Sequence, residues 1–130
     1  MPISTYAGNL VLDWLLSTAA ATRPTTWYLS LHTADPGLTG TDEVLVGTDA
    51  AYVRKAITFA AASGLTKATD AGVTWTADAA ATTYIVTHVG IWDALTAGNF
   101  LNYGELAVPE TIVASGSLNL SAGRVIASIA

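Results

Sequence analysis

The sequence predicts a mainly β fold, an antiparallel β-sandwich or barrel of seven to eight short strands with one N-terminal α-helix. Three observations carry that reading. Beyond Thr26, apolar and polar residues alternate in short runs, the period of a strand with one covered face. Proline and glycine, joined by Asp or Asn, punctuate those runs at intervals suited to tight turns. No helix-length segment separates the runs, which excludes a parallel sheet with crossover helices. At 130 residues the chain has room for one domain with one core. Residues 5–16 are expected as the helix, 27–130 as the β-sandwich and 38–51 as a projecting loop.

The elements follow in chain order. Ser4 or Thr5 can cap a helix, and Tyr6, Leu10 and Trp14 with Val11 and Leu15 recur at helical spacing from residue 5 to 16. Trp14 is expected to anchor that helix in the core. Pro24 ends any continuation. Residues 27–33 form a strand with Trp27, Leu29 and Leu31 on one face and Tyr28, Ser30 and His32 on the other. Asp35-Pro36-Gly37 turns the chain into the polar, glycine-bearing loop 38–51. Leu38, Thr39, Asp42, Glu43, Val44 and Leu45 are its candidate contact residues, and shortening it is expected to spare the fold. Further strands are expected at 52–60, 72–76, 82–93, 100–106, 111–114, 117–120 and 124–129. In the last of these Val125, Ala127 and Ile129 alternate. Gly98 and Gly123 serve turns, and Phe59 and Trp92 serve strand cores. With Trp14, Asp35, Pro36 and Gly37 these four complete the set expected to secure the fold.

Composition narrows the chemistry. The chain is 52% apolar and 12% charged, with ten acidic and five basic residues and a net charge of −5. The charged share is about half the usual ~25%, so part of the exterior is expected to be contact surface. Arg23, Arg54, Lys55, Lys67 and Arg124 are scattered, which argues against a nucleic-acid face and against adsorption to an anionic membrane. Cysteine is absent, removing disulfides, thiolate metal sites and thiol nucleophiles. Residues 1–6 show no basic stretch before an apolar core, so a secretion signal is not expected, and no apolar run suits a membrane span.

Residue patterns for catalysis are equally sparse. His32 and His88 both fall in strands without metal-ligand spacing, and each is expected to satisfy a local hydrogen bond. Gly-x-Ser-x-Gly and glycine-rich phosphate loops are missing. Asp42-Glu43 is the one adjacent acidic pair, and adjacent residues of extended chain point to opposite faces, so it reads as solvated loop charge. No enzyme activity and no cofactor are expected.

Several segments together carry a resemblance. Leu31-His32-Thr33-Ala34-Asp35-Pro36-Gly37, Tyr52-x-Arg54 and residues 57–64 (Ile-Thr-Phe-Ala-Ala-Ala-Ser-Gly) are followed by residues 86–94 and 98–106, then by Pro109 and Ser121-Ala122-Gly123. In that order they resemble a family of small tailed-phage virion structural proteins, commonly labelled tail-fibre or minor structural proteins. One departure is Thr48-Asp49-Ala50-Ala51, where that family has glycines before the Tyr-x-Arg. The resemblance implies a virion location, on the exterior of capsid or tail, with assembly in the host cytoplasm. It implies other virion proteins as partners, the major capsid protein or tail proteins, and copies of the chain in a homo-oligomer. A capsid decoration or cement protein is the first expectation, since no shaft-forming repeat is present. A tail component (fibre, tip or baseplate accessory) is the alternative. A carbohydrate-binding module, with Trp27, Trp75, Trp92 and Tyr103 as a platform, is the third.

Overall fold

The computed structural model describes residues 2–128. Ile129, expected to complete the alternation of the last strand, lies outside the described residues. The mainly β, antiparallel architecture with one N-terminal helix is as the sequence predicts. Helix α1 (Thr5–Leu16) precedes eight strands: β1 (Trp27–His32), β2 (Lys55–Ile57), β3 (Thr66–Ala68), β4 (Val73–Thr76), β5 (Tyr84–Trp92), β6 (Phe100–Ile112), β7 (Ser117–Leu120) and β8 (Ile126–Ser128). They form a four-stranded sheet in the order β2-β1-β5-β6 and two ribbons, β3-β8 and β4-β7.

One face of the four-stranded sheet builds the core. Leu29 pairs with Ile91 and Leu31 with Val89, and all four are buried. Trp75 of β4, Leu118 of β7 and Val125 pack into the same cluster, so the ribbons close over this face. The other face is covered as well: Ser30 and His32 are as inaccessible as Leu29 and Leu31. The half-buried strand expected at β1 is therefore buried on both sides.

Three strand assignments need correction. Strands 100–106 and 111–114 were expected to be separated at Pro109; instead β6 runs from Phe100 to Ile112. Its register against β5 jumps between Val86↔Glu110 and His88↔Glu105, so Pro109 lies in a bulge with no partner on β5. As the sheet's edge strand, β6 tolerates the missing N–H there. Strand β3 was not foreseen. It follows a two-residue turn in which Ser63 and Thr66 exchange backbone hydrogen bonds of 2.9 and 3.0 Å, with φ of 57° at Gly64 and 63° at Leu65. Such turns are usually announced by Asn-Gly; Gly-Leu gives no such signal. The expected strand 52–60 contracts to β2 because Tyr52 and Arg54 are turned to bonds outside the ladder.

Helix α1 takes the range expected but not the place. Ser4, itself buried, accepts from Ala7 N at 3.1 Å and caps it. The Ser4 hydroxyl donates to the Phe100 carbonyl, and Ser4 N donates to Leu101 O at 2.9 Å. These bonds fix the first turn to the edge strand β6. From there the helix leaves the body, and none of its residues is buried. Trp14, expected as a core anchor, is 69% exposed. Helical periodicity reveals that a face is apolar, but not whether the covering surface belongs to the same chain.

The left-handed Leu65 supplies a test. A Cβ at positive φ costs about 1–2 kcal/mol, and asparagine tolerates that region better. Leu65→Asn is expected to raise the urea midpoint, with a gain of about 1 kcal/mol; an unchanged or lower midpoint would show the turn to be unstrained.

Candidate functional site

The segment between β1 and β2 carries two buried charged residues, Asp49 and Arg54. Asp35 accepts from Gly37 N at 2.8 Å, and the Pro36 carbonyl accepts from Gly40 N and Thr41 N, both at 3.0 Å. This turn lays Gly40 on the sheet's second face. A Cβ there would sit 2.7 Å from Trp92 Cζ2 and 2.8 Å from Phe100 Cγ, so only glycine lets the backbone approach so closely. The chain then runs back along β1: Thr33 N donates to Asp42 O and Val44 N to Leu31 O, both at 3.0 Å.

Glu43 and Arg54 fasten it there. Arg54 Nε donates to Glu43 Oε1 at 2.9 Å and Nη2 to Oε2 at 2.8 Å, a two-point pair. Its Nη1 donates to the carbonyls of Ala94 at 3.0 Å and Ala97 at 2.8 Å. The guanidinium lies 3.7 Å from the centroid of the Trp92 ring, a cation–π contact. The Tyr52 hydroxyl donates to Glu43 Oε1 at 2.8 Å and accepts from Leu31 N at 3.0 Å. Burial works to raise the Glu43 carboxyl, but the Arg54 and Tyr52 hydrogen bonds outweigh it and hold the pKa below the usual range. Burial, then the Glu43 charge, pushes the Tyr52 hydroxyl far up.

A second chain of bonds crosses beneath. Trp92 Nε1 donates to Ser30 Oγ at 3.0 Å, and Ser30 Oγ lies 2.7 Å from His32 Nε2. His32 Nδ1 lies 2.7 Å from the Thr41 carbonyl. A carbonyl only accepts, so Nδ1 carries the proton and Nε2 accepts from Ser30. Every atom of this chain is satisfied with a neutral ring, and burial lowers the His32 pKa below its ordinary value. Asp49 closes the far end. It is 2% exposed and accepts from Ala51 N, Asp78 N and the Tyr84 hydroxyl at 3.0, 2.9 and 2.8 Å.

These positions correct three expectations. The segment 38–51 does not project as a whole: Val44 and Asp49 are buried and Glu43 is bound to Arg54. Of the candidate contact residues only Leu38, Thr39, Asp42 and Leu45 are exposed, and shortening the segment would remove buried bonds. Glu43 is not a solvated loop charge. Trp75 and Trp92 are buried, so Trp27, Trp75, Trp92 and Tyr103 form no exposed sugar platform. Of the residues expected to secure the fold, Pro36 and Trp92 are buried. Phe59 is half-buried with its ring edge-on to Trp27, and Gly37, Gly98 and Gly123 all take positive φ. Arg54, Tyr52 and Asp49 were missed as a bonding set. Their one signal was the Tyr52-x-Arg54 spacing, which puts both side chains on the same side of an extended chain.

Little else converges. Among the described residues no group of three or more His, Cys, Asp or Glu could hold a metal. A surface concavity of about 600 Å³ between β6 and residues 120–126 has Glu105 and Arg124 as its charged lining. Another accessible feature is α1, where Val11, Leu12, Leu15 and Leu16 join Trp14 in exposure. No helix among the described residues is long and apolar enough to cross a membrane.

Two outcomes follow from the buried cluster. Trp92→Ala removes the ring under Arg54 and Gly40 and is expected to destabilise the domain by about 3–5 kcal/mol in urea unfolding. Acid is expected to weaken the fold through His32. Above about pH 6.5 the ring is neutral whether folded or unfolded, whereas below it the unfolded chain takes up a proton that the folded ring resists. Stability therefore falls as pH drops from about 6.5, and His32→Gln should flatten that decline; an equal slope in both proteins would remove His32 from the account.

No curated protein matches the chain. A family model does: the one described as podophage GP4 fiber I protein gp80 matches residues 2–128, nearly the whole length. The match runs through α1, the Glu43–Arg54 segment and all eight strands, so it covers the complete fold. The chain therefore belongs to the podophage GP4 fibre I protein gp80 family and is a phage virion structural protein.

Proposed function

We propose that this protein is a non-catalytic component of the phage tail fibre apparatus, acting by surface association with neighbouring virion proteins. The observation that carries the reading is the match of residues 2–128 to a fibre protein family. The geometry supports it from the other side. Glu43, Arg54, Tyr52, His32 and Asp49 are bonded to one another or to backbone, so the most buried polar groups are spent on the fold. The accessible apolar surface includes the outer helix and the tip at Leu45 and Val46, surfaces suited to contact. Capsid decoration, the first expectation from the sequence, gains no observation of its own, and a fibre family favours the tail alternative.

Copy number and location test this directly. Purified virions separated into heads and tails are expected to carry the protein in the tail fraction, on the order of tens of copies per particle. Hundreds of copies on the heads would overturn the fibre reading in favour of decoration.

A further inference from the structure

The four-stranded sheet and the β3-β8 ribbon leave a cavity of about 400 Å³ between them. Its floor is apolar and buried, formed by Ile91 of β5 and Leu101 of β6, and Trp27 and Phe59 stand at its side with their rings edge-on. Lys67 and Ala127, paired across the ribbon, line it from the opposite element. A bulge brings Asn102 in: Ile91 pairs with Asn102 and Trp92 with Phe100, so Leu101 is the extra residue, and both it and Asn102 line the cavity. A second hollow of about 430 Å³ beside the β3 turn shares Lys67, Asn102 and Ala127 with the first. The two make one groove, and each part has a volume that ligand sites commonly take.

The polar side chains of the first cavity are hydrogen-bond donors. Glu43–Arg54 is the one ion pair among the described residues, so neither Arg23 nor Lys67 has a carboxylate there. Arg23 is exposed, and Lys67 gives one of its three N–H groups to the Ala60 carbonyl. Asn102 Oδ1 accepts from Tyr103 N at 2.8 Å, which leaves the amide NH2 for another partner. The indole N–H groups of Trp75 and Trp92 donate within the fold, while that of Trp27 has no acceptor among the described residues and is not buried. No Asp or Glu lines either hollow, although the chain holds ten. Donors alone, two of them cationic, suit an anion, and the floor suits an apolar body. A saccharide matches less well, because its hydroxyls donate too and meet no side-chain acceptor in that cavity. A bare inorganic anion would leave the floor uncovered.

The far end of the groove adds a strained residue. Leu65 is 63% exposed and holds φ of 63°, in a turn that Gly or Asn would fill with less strain. Strained positions gather at ligand sites, and this one borders the second hollow. The groove thus runs from a cationic end to an apolar one. An extended chain, at about 3.3 Å per residue, can set an acidic residue at the first and an apolar residue at the second. We infer that the groove binds an acidic–apolar peptide segment of another virion protein, its carboxylate on Arg23 and Lys67 and its apolar side chains over Leu101 and Leu65. The inference rests on the association reading above and names the chemistry of one contact. The chain as a whole carries −5 and repels acidic ligands, so a preference for a carboxylate has to arise locally.

Nuclear magnetic resonance titration of the isotope-labelled full chain tests the site, with acetyl-Leu-Glu-Leu-amide and its Gln counterpart as probes. The Glu peptide is expected to shift the Trp27 indole and Asn102 amide signals saturably and to bind about tenfold more tightly than the Gln peptide. That advantage should shrink as salt is added. Arg23→Gln, at an exposed position, is expected to abolish it, whereas Lys55→Gln, the same change of charge outside the groove, keeps it. Equal binding of the two peptides, shifts centred elsewhere, or loss of the advantage in both variants overturns the assignment. Glucuronic acid binding more tightly than the Glu peptide would make the groove a saccharide site and overturn it as well. A second measurement uses virions with the photoreactive p-benzoylphenylalanine in place of Leu65. Irradiation is expected to join this chain to an acidic–apolar stretch of a different virion protein; no product, or crosslinks only between its own copies, overturns that source. Absence of the protein from virion tails would sink the fibre reading and leave the carboxylate preference of the groove standing. Equal binding of both peptides by a protein that does fractionate with tails would do the reverse.

Discussion

The Glu43–Arg54 pair is the contact through which distant parts of the chain depend on one another. Arg54 stands at the start of β2, Glu43 in the connection that leaves β1, Trp92 at the end of β5, and Ala94 and Ala97 in the turn towards β6. Four N–H groups of one guanidinium are bonded to those elements. Its planar fork is suited to this, because it presents donors in several fixed directions at once. A partly buried pair of this kind is weak evidence of net stability, since desolvation offsets much of the attraction. Its consequence is specificity. With either partner gone the other is left half-buried and unpaired, so the segment over the sheet has one favourable position.

That constraint explains why the second sheet face is buried by irregular chain rather than by another sheet. Gly40 sits where any side chain would strike Trp92 and Phe100, and Gly90 where one would strike Phe100, His32 and Ser30. The two glycines bring backbone into contact with the aromatic layer, and the Ser30–His32–Thr41 bonds satisfy the polar atoms trapped below. Backbone bonds from Thr33 to Asp42 and from Val44 to Leu31 give this connection the role an extra strand would have, without a regular ladder.

Much of the fold was legible because local chemistry and tertiary structure agree. The cap at Ser4, the β-forming runs of β1 and β5 and the glycine turns at Gly98 and Gly123 are short-range signals that the structure keeps. What could not be read depended on partners far along the chain. A polar stretch rich in Gly and Asp reads as a loop, and nothing local to Glu43 reveals an arginine eleven residues on waiting to bind it. Pro109 reads as a strand break unless the bulge opposite Val86 is known. Leu65 carries no turn signature. Of the surface, the sequence disclosed the excess of apolar residues, and Leu38 and Leu45 of the loop are exposed, but it did not disclose that helix α1 leaves its own apolar residues exposed.

The distribution of that excess is uneven along the chain. Of the seventeen large apolar residues exposed among the described residues, seven lie between Ile3 and Leu16, although this stretch is about a tenth of the chain. The remainder are scattered over the β body, as on any soluble domain. Low overall charge is thus not a property of the whole surface. The body is finished: its buried side-chain polar atoms are all partnered among the described residues. The helix differs: it is bonded to β6 through its cap at Ser4, and none of its residues is buried. A β body with an apolar helix held at its edge keeps the residues that build the core apart from those that expose apolar surface, so substitutions beyond the first helical turn are expected to leave the core bonds intact.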